Sequence, residues 1–127
     1  MKRKINNIFF SLVILLSILI VGCSIKNESY NLLITNNSGE NFKSIGFHKK
    51  HSSGGVSNAD NSFIEAGDEF KIYMESDEFS LNVIDTYGNE IMSQKFNADF
   101  SNNKNKVYKI SIEKDFSGSL EFILSDE

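Results

Sequence analysis

Cys23 is the chain's one cysteine, and Ile20, Val21 and Gly22 stand directly before it. A thiolate is the strongest nucleophile among the common side chains, and a glycine lets a peptidase approach the adjoining peptide bond. A second set is acidic. Glu75, Asp77 and Glu78 crowd one segment, and Asp99 with Asn102 and Asn103 supplies oxygens in another. Calcium takes about six to eight oxygen ligands and tolerates such loops. Neither segment has the Asp-x-Asp-x-Asn-Gly spacing of a dedicated calcium loop. Charged tips that keep sheet edges soluble are the plainer reading.

His48 and His51 lie three residues apart around Lys49 and Lys50. On a strand that spacing puts the imidazoles on opposite faces, and the lysines repel a cation. They read as solvated loop histidines. Serine, histidine and aspartate all occur, but no Gly-x-Ser-x-Gly elbow does. No catalytic residue is expected, and the chain is not read as an enzyme.

The elements that must position these residues begin with a basic start, Met1-Lys2-Arg3-Lys4, and an apolar run from Ile8 to Val21. As a helix that run would span roughly 21 Å, short of the roughly 30 Å hydrocarbon core. An export signal fits better than a membrane-spanning helix. From Met1 to Ser24 the chain resembles a bacterial lipoprotein signal peptide, with Ile20, Val21, Gly22 and Cys23 matching the four lipobox places in order. That resemblance implies removal of residues 1–22, diacylglycerol on the Cys23 sulfur, palmitate-type acylation and a membrane anchor. Two or more acyl chains give stable anchoring where one binds reversibly. It also implies a lipid-anchored protein on the extracytoplasmic face of the cell membrane, or of the outer membrane if the cell has two. Residues 23–29 are then the lipidated cysteine and a tether, of which the six residues from Ser24 reach about 20 Å at most.

Beyond the tether, residues 30–127 read as one domain dominated by period-2 alternation. Tyr30-Leu32-Ile34, Ile45-Phe47, Phe70-Ile72-Met74 and Phe79-Leu81-Val83 each mark a strand. So do Ile91 to Phe96, Tyr108-Ile110-Ile112 and Leu120-Phe122-Leu124, with a weak edge strand around Val56. No window has sustained helical spacing. The pattern predicts an all-β fold of 7–8 short strands. It resembles, in architecture only, the immunoglobulin-like and transthyretin-like sandwiches of small lipoproteins, with a small barrel as the alternative. Asn36-x-x-Gly39, Asp85-x-x-Gly88 and Asp115-x-x-Gly118 predict Asx-opened turns of the kind that close hairpins.

Without residues 1–22 the chain keeps ten lysines against 17 acids, a formal charge of −7. That balance disfavours nucleic acid and anionic lipid headgroups as partners. Fifteen asparagines, fifteen isoleucines and no proline resemble the usage of an AT-rich genome. With no cysteine left for a disulfide, packing alone holds the fold, and no cofactor is expected beyond the anchor's lipid. Phe63, Tyr73, Tyr87, Phe100 and Phe116 fall in or beside loops, where they could form a recognition surface or cap the ends of the sandwich. The expected function is a protein-binding or accessory module of the cell envelope. A closed barrel would instead imply a small-molecule or lipid carrier.

Overall fold

The structure is a computed structural model that describes residues 29–126. Gly22 and Cys23, with the signal resemblance, lie outside the described residues. Eight strands follow one another: β1 Leu32–Asn36, β2 Phe42–Lys49, β3 Ser53–Val56, β4 Glu69–Ile72, β5 Glu78–Asp85, β6 Glu90–Asn97, β7 Tyr108–Lys114 and β8 Leu120–Ser125. No helix occurs among the described residues. The strands form two four-stranded sheets, ordered β4-β1-β7-β8 and β3-β2-β5-β6. Each expected strand is present, including the weak one at Val56, which forms an edge.

The alternation explains why the sheets stack. Leu32, Ile34, Ile110, Ile112 and Phe122 of one sheet face Ile45, Phe79, Leu81, Val83 and Phe96 of the other, all buried. Burying a side chain of this size contributes about 1.5–3 kcal/mol, and together they form one core between two layers. The fold is an open sandwich, not a closed barrel. On one side the edge strands β6 and β8 are bridged by Gln94, whose Nε2 donates to the Phe122 carbonyl at 2.8 Å.

The connections are not a simple meander. β1 pairs antiparallel with β4 but parallel with β7, Leu32 opposite Tyr108 and Asn36 opposite Ile112. The chain changes sheets after β1, β3, β4 and β6. Immunoglobulin domains keep their first two strands in one sheet. Here β1 and β2 lie in different sheets, so the strand order is not the immunoglobulin one.

The turn chemistry holds in part. Gly88 and Gly118 sit at φ 93° and 85° in the β5–β6 and β7–β8 hairpins. Such values favour a residue without Cβ. Gly39 also has a positive φ, 77°. Its turn closes no hairpin, however, and carries the chain from one sheet to the other.

Candidate functional site

The topology sorts every loop to one of two ends. The chain enters at Tyr30, beside the β2–β3 hairpin (50–52), the β4–β5 loop (73–77) and the β6–β7 loop (98–107). At the opposite end are the β1–β2 loop (37–41), the β3–β4 loop (57–68) and the two hairpins 86–89 and 115–119.

Three of the five loop aromatics belong to this far end. Phe63 is in the β3–β4 loop, Tyr87 on the β5–β6 hairpin and Phe116 on the β7–β8 hairpin. Tyr87 is 89% exposed, Phe116 is fully exposed and Phe63 is 42% exposed. Their carriers are firmly braced. The Asp85 carboxylate accepts the Tyr87 and Asn89 backbone N–H groups, both at 2.8 Å, and the Asn89 side-chain amide. Asp115 accepts the Ser117 and Ser119 N–H groups at 2.8 and 3.0 Å and the Ser117 hydroxyl at 2.6 Å. Each aspartate thus fixes the turn that lifts its aromatic into solvent. A cleft of about 320 Å³ opens beside Tyr87, lined by Glu40, Asn41, Asp85 and Thr86.

The other two aromatics divide. Tyr73 is 58% exposed, at the entry end. Of the two roles open to it, Phe100 takes the cap and not the recognition surface. It is 4% exposed and packs edge-on against Tyr108, with ring centroids 5.0 Å apart. Its loop folds inward and closes the end of the core.

The acids expected as possible metal ligands are brought to one end but not into a cation site. Asp77 accepts the Ser101 N–H at 3.0 Å and its hydroxyl at 2.6 Å, clasping the β4–β5 loop to the β6–β7 loop. Glu78 pairs with Lys95 at 2.6 Å. Asp99 accepts the Asn102 N–H within its own loop, and Glu75 is exposed on the β4–β5 loop. Among the described residues no three histidine, cysteine or acidic side chains converge as a metal site would need.

Against Glu78 lies an open cleft of about 490 Å³, lined by His48, Lys49, Lys50, Ser76, Ser80 and Lys95. Three lysines and a histidine face one carboxylate there. In the sequence alone Lys49 and Lys50 count only as obstacles to a cation. The Lys-Lys doublet was the available signal for this basic surface, but Lys95 joins it through β5–β6 pairing that no local pattern reveals.

Hydrogen bonds from Asn89, Ser117 and Ser101 hold Asp85, Asp115 and Asp77 below the ordinary carboxylate range. Hydrogen bonding and charge from Lys95 do the same for Glu78, and from Lys106 for Asp126. A carboxyl with a depressed folded pKa stabilises the fold above its unfolded pKa, and loses that contribution as pH falls through the folded value. Stability is therefore expected to hold from neutral pH to about pH 5 and to decline below about pH 4. Urea midpoints at neutral and acid pH check this; an unchanged midpoint at pH 3 contradicts it.

No family model matches the chain, and no curated protein matches it. A solved structure does: the NMR structure of a protein from Eubacterium rectale, at 12% identity and a TM-score of 0.59. The match covers 84% of this chain and 97% of that one. At this identity the likeness is one of fold.

Proposed function

We propose that this chain is an extracytoplasmic lipoprotein, anchored through Cys23, whose sandwich is a non-catalytic binding module for a protein partner at the cell envelope. The observation that carries the reading is the position of Phe63, Tyr87 and Phe116. They stand on three loops at the end opposite to where the chain enters, and so opposite to the anchor. Exposed aromatics on braced turns offer large contact area at little cost in lost freedom, and such residues dominate binding energy at interfaces. The carrier alternative has less support, because large side chains fill the space between the sheets.

The test is crosslinking in cells with a photoreactive residue at position 87 or 116, and at Tyr73 for comparison. The far positions are expected to capture one discrete partner. The double variant Tyr87→Ala/Phe116→Ala is expected to weaken capture by about tenfold or more, at roughly 1–2 kcal/mol per lost anchor. Its unfolding midpoint should stay put, because both rings are exposed. Undiminished capture by the double variant, or capture only at Tyr73, rules the far-end surface out. Intact mass of wild type against Cys23→Ala tests the anchor itself.

A further inference from the structure

We infer that the entry end of the sandwich rests on anionic lipid headgroups, an inference that rests on the anchored reading above. The charge is shared unevenly between the two ends. Among the described residues the entry half carries seven lysines against five carboxylates. The far half carries two lysines, Lys43 and Lys114, against ten. The entry-half lysines come from separate elements, Lys49 and Lys50 on the β2–β3 side, Lys71 on β4, Lys95 on β6, Lys104 and Lys106 on the β6–β7 loop, and Lys109 on β7. Lys95 and Lys106 are ion-paired, to Glu78 and Asp126. Among the described residues Lys49, Lys50, Lys71 and Lys104 make no ion pair with a carboxylate.

Geometry makes this charge effective. The six residues from Ser24 lead into this end and reach about 20 Å at most. That reach is about two Debye lengths at physiological salt. Within that reach the lysines meet the surface potential of anionic lipid, where each basic group contributes about a fivefold gain in association and each carboxylate opposes it. Tyr73, more than half exposed at the same end, has the amphipathic ring that favours the headgroup region. The acidic far end is repelled by the same surface. Attraction at one end and repulsion at the other orient the module with its aromatic loops away from the bilayer.

Amide exchange tests the orientation. The full chain, extracted from membranes, is reconstituted on phosphatidylcholine vesicles with and without phosphatidylglycerol. Exchange in segments 50–52 and 98–107 is expected to slow at least fivefold on the anionic vesicles, and to recover at about 0.5 M salt. Lys49→Glu/Lys50→Glu/Lys104→Glu should abolish the slowing, whereas Lys43→Glu at the far end should keep it. Equal exchange on both vesicles, or protection at hairpins 86–89 and 115–119 instead, overturns the proposal. Intact mass reports separately on Cys23. If Cys23 is unmodified the lipid anchor falls, yet the exchange comparison still decides which end meets the headgroups, because Ile8–Val21 remains in the chain.

Discussion

Replacing Phe79 with alanine is expected to cost about 3–5 kcal/mol, a large part of the roughly 5–15 kcal/mol that stabilises a domain of this size. Phe79 is 2% exposed at the start of β5 and packs against Phe96 of β6, with centroids 5.5 Å apart. It also meets Phe100, at 5.9 Å, and Phe100 meets Tyr108 of the other sheet. The ring is thus one link in an aromatic chain that joins the two layers and seats the β6–β7 loop. Truncation leaves a void that strands paired on both sides cannot collapse around, which is the circumstance that makes such losses largest. Urea denaturation should show a sharply lower midpoint with the slope preserved. A loss below about 1 kcal/mol would mean that the aromatic chain does not join the layers. The β6–β7 loop should also exchange faster in the variant, because Phe100 loses one of its walls.

Asn36→Ala is expected to cost about 2–4 kcal/mol, for a different reason. Leu32, Ile34 and Asn36 share the inward face of β1, and all three are wholly buried. The asparagine earns its apolar surroundings through its partners. Its Nδ2 donates to the carbonyls of Glu40 at 2.8 Å and Glu65 at 3.1 Å. Its Oδ1 accepts the Ser38 N–H at 3.2 Å and the Ser38 hydroxyl at 2.7 Å. One side chain therefore ties the β1–β2 loop to the β3–β4 loop, and alanine leaves their polar groups short of partners. A buried group left unsatisfied costs about 1–3 kcal/mol. The neighbouring Asn37→Ala removes a single exposed bond to Ser111 and should cost well under 1 kcal/mol. Equal midpoints for the two variants would refute the assignment. Because the β3–β4 loop carries Phe63, Asn36→Ala should also weaken partner capture where the fold survives.

Most strands were legible because each carries its own record of burial. Phe79-Leu81-Val83 and Tyr108-Ile110-Ile112 alternate regardless of what they pair with, and all six are buried. The Asp85 and Asp115 turns were legible for the same reason, since every atom involved lies within five residues. What no local pattern carries depends on distant pairing. The parallel contact of β1 with β7 joins segments more than 70 residues apart, and no local pattern encodes it. Between surface and cap, Phe100 could not be placed because its loop has no period from which to read an inward direction. Asn31 hid likewise: its side chain exchanges two hydrogen bonds with the Met74 backbone, continuing the β1–β4 ladder past the end of β4. The uneven charge of the two ends was invisible until the strand order showed which loops share an end.

β1 is the strand nearest the tether, and it lies in the middle of its sheet, flanked by β4 on one side and β7 on the other. A pull on the N-terminus is therefore directed along β1, while the hydrogen bonds that hold it run across to both neighbours. In that shear geometry the bonds share the load and must yield together. An edge hairpin in the same place would unzip one pair at a time. A load applied between the far loops and the N-terminus would thus run along the strand held on both sides, and the sandwich would carry tension from end to end before it unravelled.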